Sequence, residues 1–301
     1  MSEITAPPSV TPRVGRRLPD WLRMQLPVTA TFAGTRSLIG ELNLHTVCES
    51  AKCPNHWECW DRGTATFMIG GDRCTRSCAF CAVDTAKPLP LDPLEPERVA
   101  EASRRLKLRH VVITAVARDD VHDGGAEHFR KTILAVRSAL PGATVEVLTP
   151  DFDDKDSPLQ VVLDAAPEVF NHNLETVRRL TPQVRSRATY DRSLSVLRKA
   201  RERGPRAMHT KSGLMVGLGE TPEEVFTALC DLRAVGCSLV TIGQYLQPTK
   251  NHLPVAEYVT PAQFVHYARE ARELGFSHVS SGPLVRSSYH AGESISQPDS
   301  A

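Results

Sequence analysis

The regular alternation of short apolar runs with amphipathic stretches, from about residue 64 onward, limits this chain more than any other feature. Strands are expected at 66–69, 110–115, 144–148, 169–172, 209–216 and 239–243, with a last short one near 278–280. Between them, residues 96–106, 127–140, 157–165, 191–203, 222–235 and 261–274 show helical spacing of apolar residues and open at proline or cap-like residues. Strands that alternate with helices pair in parallel through right-handed crossovers. Six such units predict an α/β fold: a partial (β/α)6 TIM-like barrel, open on one side, with N- and C-terminal extensions. Chemistry in such barrels sits on the loops that follow the C-terminal ends of the strands.

The loop after the first strand is Cys74-Thr-Arg-Ser-Cys78-Ala-Phe-Cys81, three thiols in a CxxxCxxC spacing. Structural zinc takes four ligands in paired CxxC or CxxH units, which this uneven triplet does not match. Four-iron clusters in electron carriers are held by four cysteines, so three on one loop leave one iron open to a small molecule. The spacing, with aromatic Phe80 just before the last cysteine, resembles the signature of the radical S-adenosylmethionine (SAM) enzymes. The resemblance implies that SAM chelates the open iron through its amino and carboxylate groups. An electron from the reduced cluster then cleaves it to methionine and a 5′-deoxyadenosyl radical.

A second triplet lies upstream, Cys48-Glu-Ser-Ala-Lys-Cys53-Pro-Asn-His-Trp-Glu-Cys59. Neither of its intervals suits a zinc knuckle, and the plant-type ferredoxin pattern does not fit either. His56 is an alternative ligand within it, although a histidine in such a loop is expected to support the loop by hydrogen bonding. The CxxxxCxxxxxC triplet, followed fifteen residues later by CxxxCxxC, resembles the lipoyl synthase family. So do His45-Thr-Val-Cys48-Glu, Glu58-Cys59-Trp60, Gly63-Thr-Ala-Thr-Phe-Met-Ile69 and Gly71-Asp72, and the likeness runs over about residues 17–292.

That family resemblance implies two [4Fe-4S] clusters, one on Cys74, Cys78 and Cys81 and an auxiliary one on Cys48, Cys53 and Cys59. Its fourth ligand would be a serine of the segment Arg286-Ser-Ser288-Tyr, with Ser288 favoured over Ser287. An alkoxide is a harder, more easily exchanged ligand than a thiolate, and Arg286 is placed to hold the serine or its released form. The reaction implied is insertion of two sulfur atoms, at C6 and C8, into a protein-bound octanoyl group, with SAM as cosubstrate and the auxiliary cluster as sulfur donor. Implied partners are octanoylated lipoyl domains of 2-oxoacid dehydrogenases and the glycine-cleavage H protein, a low-potential ferredoxin or flavodoxin, and an iron–sulfur carrier protein.

SAM also needs polar partners for its ribose, amine and carboxylate. Asn173, Glu175, Arg192, Lys211 and Gln244 have suitable side chains near strand ends, with Phe80 on the cluster loop. Gly217 and Gly219 would let the backbone approach the ligand. Two wordings depart from the family's: Ala86 stands where glycine is common, and 151–154 lacks the usual following glycine.

Eight cysteines without a secretory signal argue for reduced, metal-binding thiols in a cytoplasmic protein rather than a disulfide scaffold. Six fall between positions 48 and 81, and Cys230 and Cys237 read as small core residues. A net charge of +1 gives no bias toward nucleic acid, and no apolar run reaches the length of a membrane span. The expected division is a mobile stretch 1–17, an N-terminal extension 18–63 carrying the auxiliary cysteines, a barrel 64–280, and a C-terminal extension 281–301. The alternatives are another radical SAM sulfur-inserting enzyme, of methylthiotransferase or biotin synthase type, and a non-enzymatic iron–sulfur electron carrier.

Overall fold

The computed structural model describes residues 18–23, 29–62, 65–289 and 291–293, so the stretch 1–17 lies outside the described residues. The first helix is α1 (Ala30–Glu41). Thr29 caps it, its hydroxyl oxygen accepting from the Phe32 amide at 3.3 Å. Phe32 then stacks on Trp57 with ring centroids 4.7 Å apart, and that packing outweighs the weak helix propensity of Thr31 and Gly34.

A two-residue strand, β1 (His45–Thr46), runs antiparallel to β2 (Thr66–Ile69). Between them, α2 (Val47–Ser50) carries Cys48, α3 (His56–Asp61) carries Cys59, and Cys53 lies in the turn that joins them. The short pair β3 (Arg73–Cys74) and β4 (Asp84–Thr85) staples the two sides of the loop bearing Cys74, Cys78 and Cys81. The repeat then proceeds through α4 (Glu95–Arg105), β5 (His110–Ala115), α5 (Ala126–Ala139), β6 (Thr144–Leu148), α6 (Asp156–Asp164) and β7 (Val169–Asn171). It continues with α7 (Thr181–Val184), α8 (Tyr190–Arg203), β8 (His209–Val216), α9 (Pro222–Ala234), β9 (Leu239–Gln244), α10 (Pro261–Glu273) and β10 (His278–Gly282).

The main sheet has the order β1-β2-β5-β6-β7-β8-β9-β10, and every pair from β2 onward is parallel. Six strands each lead into a crossover helix, and the end strands β1 and β10 do not pair with each other, so among the described residues the barrel is open as expected.

Alternation along the strands divides the sheet into two faces. Val111, Ile113, Val145, Val147 and Phe170 are fully buried with Val99, Phe129, Ile133 and Leu159 of the helices in one apolar cluster. Leu214, Val216, Val240 and Ile242 join Leu197, Leu229 and Phe264 in a second. Burying each such side chain contributes about 1.5–3 kcal/mol, which fixes the strand register. The alternate positions Thr66, Thr114, Glu146, Asn171, Lys211, Gly213, Thr241 and Gly243 therefore share the other face, together with apolar Met68, Val112, Val169 and Leu239.

The departure at 151–154 has a structural counterpart. Phe152, Asp153 and Asp154 all take left-handed backbone conformations, with φ of 48°, 52° and 59°. Asp154 stands where glycine would be easiest. Lys199 Nζ donates to its carboxylate at 2.9 Å and its carbonyl at 3.0 Å, and Ser195 adds a bond at 3.0 Å. Ala86 is not among the left-handed residues, so no glycine is needed there.

Candidate active site

Cys74, Cys78 and Cys81 lie at the C-terminal end of β2 on a loop tied to its neighbours. The amides of Arg76 and Ala117 point at Cys74 Sγ from 3.4 and 3.3 Å. Thr75 bonds to Ala117 and Asp119 beyond β5, and Ala79 N donates to Val184 O at 3.0 Å. Buried Arg76 grips Asp119 and Asp151 at 2.7 Å each, locking the loop to those after β5 and β6. His252 Nε2 donates to Cys81 O at 2.9 Å, its other nitrogen accepting from the Thr249 hydroxyl at 2.8 Å. Phe80 packs against the second apolar cluster. Burial pushes the Cys81 thiol up to about 12, with Cys78 and Cys74 close enough to add to the shift.

The upstream cysteines converge as well. Burial pushes the Cys48 thiol up to about 11, opposed by the Thr66 backbone, and Cys59 up to about 12 with Cys48 and Cys53 adding to it. The C-terminal strap, 283–289, closes over them. Asn55 Nδ2 donates to Leu284 O at 2.6 Å, and the Tyr289 hydroxyl donates to Glu58 at 3.1 Å. Ser288 Oγ lies 2.8 Å from Thr66 Oγ1, so the strap delivers this hydroxyl to the strand residue that also serves Cys48. Ser287 turns instead to Asn173 Nδ2, at 2.8 Å. Arg286 does not hold Ser288: its guanidinium donates to Val285 O at 2.6 Å and lies near Cys53, whose thiol burial raises and Arg286 pulls back. His56 supports its loop by packing edge-on to Trp60, centroids 4.2 Å apart, rather than by side-chain hydrogen bonds.

Two glycines make room for the strap. A Cβ on Gly243 would stand 2.0 Å from Val285 O, and one on Gly213 would stand 2.9 Å from Ser287 Oγ. Thr66, Gly213 and Gly243 were invisible to sequence reasoning as site residues; only their spacing on one strand face hinted at a common surface.

Of the residues expected to meet SAM, two gather at the first triplet. Glu175 takes a left-handed conformation, φ 71°, and its carboxylate accepts from Asn173 Nδ2 at 3.1 Å. Its charge reaches the Cys78 and Cys81 thiols. Burial raises the Glu175 carboxyl, while Arg185 and Asn173 oppose the rise. Arg192 stands at the rim, 3.3 Å from Asp151. Two others are engaged elsewhere. Lys211 is buried low in the barrel, 2.9 and 3.0 Å from the Glu146 carboxylate oxygens, because it occupies the early part of β8. Gln244 spends its amide on backbone, accepting from Val259 N at 2.8 Å and donating to Tyr245 O and Glu257 O at 3.0 and 2.9 Å. Gly217 and Gly219 have φ of 95° and 106°; a Cβ on Gly217 would meet Gln244 and Glu257 O, so this glycine admits protein rather than ligand.

Comparison with known proteins decides what kind of site this is. Residues 68–232 match the Radical SAM superfamily, and residues 11–53 match the N-terminal domain of lipoyl synthase of the Radical SAM family. The chain is 57% identical over 281 residues to a lipoyl synthase of Symbiobacterium thermophilum, covering 93% of this chain and 88% of the relative. It is 55% identical to one of Parabacteroides distasonis, covering 93% and 98%. The chain belongs to the lipoyl synthase family. Solved structures similar in fold include methylornithine synthase (TM-score 0.55, 13% identity, covering 83% of this chain and 75% of that one). Another is HydG, a maturase of the [FeFe]-hydrogenase (TM-score 0.56, 12% identity, covering 88% and 74%).

Lipoyl synthases are radical SAM enzymes that work with SAM and [4Fe-4S] clusters, two being the family's pattern, and the side chains present suit that load. Six of the eight cysteines fall into two triads, each with its own set of anchoring contacts. Among the described residues no three His, Cys, Asp or Glu side chains close around a single ion. Thiolates bound to different irons of one cluster stand wider apart than ligands of one zinc. The other two cysteines are separate, Cys230 on α9 and Cys237 buried, its thiol pushed up to about 12 by burial. No helix among the described residues is long and apolar enough to cross a membrane.

Proposed function

We propose that this chain makes the lipoyl group in place, inserting sulfur at C6 and C8 of an octanoyl chain carried by a partner protein. Cys74, Cys78 and Cys81 would hold the SAM-binding cluster, and Cys48, Cys53, Cys59 and Ser288 the auxiliary one. Bound there, these groups supply hydrogen abstraction from an unactivated carbon and the sulfur atoms themselves. The observation that carries this reading is the strap: it brings Ser288 Oγ within 2.8 Å of Thr66, beside a triad that otherwise offers three ligands.

The remaining roles belong to the chain. Amides aimed at Cys74 Sγ from Arg76 and Ala117 fix the direction in which this sulfur is presented. The Arg76 clamp and the His252 contact keep the loop still, so that a reactive carbon is generated in one place. Glu175 and Asn173 offer acceptors on the side facing the first triad, and Arg192 closes the rim. The N-terminal extension 18–63 and the C-terminal extension 281–301 serve the auxiliary triad, and the barrel 64–280 serves the first. An acyl chain on a partner's lysine would enter through the open side of the barrel, into a site dry enough to protect the radical. The partners proposed are octanoylated lipoyl domains and the glycine-cleavage H protein, a low-potential ferredoxin or flavodoxin for electrons, an iron–sulfur carrier for repair, and the cytoplasm as compartment.

The test is anaerobic mass spectrometry of an octanoylated lipoyl-domain peptide incubated with cluster-reconstituted protein, SAM and a strong reductant. A gain of two sulfurs is expected. Deoxyadenosine without change in the octanoyl group would overturn the substrate, and neither product, with both clusters verified, would overturn the enzyme.

A further inference from the structure

Adjacent serines of the strap face different sites. Ser288 turns to Thr66 and the upstream cysteines, whereas Ser287 Oγ lies 2.8 Å from Asn173 Nδ2. The same nitrogen donates to Glu175 Oε1 at 3.1 Å. A carboxylate only accepts, so the nitrogen edge of the Asn173 amide is the edge that faces Glu175 and Ser287, and both amide hydrogens are used. The amide oxygen lies on the Gly213 side, where a Cβ would stand 2.8 Å from it. It is buried and without a protein partner, on a residue only 9% exposed. Such unpartnered buried acceptors are uncommon and point to a missing donor.

Gly213 is what permits the arrangement. A Cβ there would stand 2.8 Å from Asn173 Oδ1 and 2.9 Å from Ser287 Oγ, so a side chain would separate the strap from the asparagine.

We propose that Ser287 is a positioning residue for SAM, distinct in role from Ser288: it orients the Asn173 amide so that the free oxygen receives an N–H or O–H donor of the bound cosubstrate. The proposal rests on the reading of Asn173 and Glu175 as SAM-side residues. Ser287 itself touches only Asn173 in this role, and its effect passes entirely through that amide.

The experiment is anaerobic equilibrium dialysis of SAM against protein reconstituted with both clusters, for wild type, Ser287→Ala, Asn173→Ala and the double variant, with iron and sulfide counted per chain. In Ser287→Ala, SAM binding is expected to weaken about fivefold to tenfold, the effect of losing one hydrogen bond. KM for SAM should rise with kcat for deoxyadenosine little changed, and the iron count should stay at the wild-type value. In the Asn173→Ala background the same substitution should change affinity less than about twofold, as expected when one residue acts through the other. The proposal is overturned if Ser287→Ala binds SAM like wild type, if its effect is undiminished without Asn173, or if it sheds iron, as is expected of Ser288→Ala. A wild-type protein with both clusters intact that neither binds nor cleaves SAM would overturn the underlying functional reading together with this one.

Discussion

Replacing Gly243 with alanine tests how the two ends of the chain meet. The new Cβ would stand 2.0 Å from Val285 O and 3.0 Å from its carbon, where ordinary contact begins near 3.4 Å. The strap must therefore withdraw by about 1.4 Å, since β9 is held on both sides by β8 and β10. The Thr66–Ser288 and Asn173–Ser287 bonds, both 2.8 Å, and the Asn55–Leu284 bond at 2.6 Å then pass beyond hydrogen-bonding reach. At about 1 kcal/mol each, some 3 kcal/mol of local strap stability is lost, a shift of about a hundredfold in strap docking. The barrel keeps its two apolar clusters, so global melting should change little. After anaerobic reconstitution and desalting, wild type should hold about eight irons per chain and the variant about four, two four-iron clusters against one. The variant should still release deoxyadenosine while sulfur insertion falls about a hundredfold or more. Eight irons and wild-type yields from Gly243→Ala would refute the reasoning.

Other substitutions separate the parts. Ser288→Ala should leave SAM cleavage intact and abolish double sulfur insertion, read by mass spectrometry of the lipoyl-domain product. Changing Cys230 and Cys237 together to alanine should leave iron content unaltered, whereas any one of the six clustered cysteines should lower it. Lys211→Met strands the buried Glu146 carboxylate and should cost about 3–5 kcal/mol in denaturant unfolding, most of it recovered by adding Glu146→Leu. His172 is buried and neutral, pushed down to about 4 by burial and by Arg185, from an ordinary value of 6.5. The unfolded chain takes up that proton first, so stability from this residue is full above about pH 7 and falls by about 3 kcal/mol between about pH 6.5 and pH 4. Denaturant titrations across that range should show the slope, and His172→Gln should flatten it.

The strands, their helices and the cysteine loop were legible because each is local: period-two and helical spacing, proline starts and thiol intervals survive without tertiary context. Lys211 and Gln244 misled for the same reason. Both are polar residues on strands near the expected mouth, but depth along β8 puts Lys211 beside Glu146, and the face of β9 turns Gln244 toward the 255–259 backbone. The strand bounds and the alternation place Lys211 early in β8 and Gln244 on the face of Val240 and Ile242, but they do not give the partners each finds there. Thr66, Gly213 and Gly243 read as ordinary strand positions, since what gives them meaning is a segment many residues away. Asp154 is intermediate: a missing glycine was visible, but not that Lys199 and Ser195 would hold an aspartate in the left-handed region.

The pairs that join the strap to the upstream cysteines are 222 residues apart for Thr66 with Ser288, 229 for Asn55 with Leu284 and 231 for Glu58 with Tyr289. During synthesis the second triad must therefore wait for residues 284–289, long after its own cysteines have left the ribosome. The hydrogen bonds that anchor the first triad's loop come from residues no later than 253. On the proposed assignment, the site that supplies sulfur is completed only by a segment that leaves the ribosome after every residue anchoring the SAM-side loop.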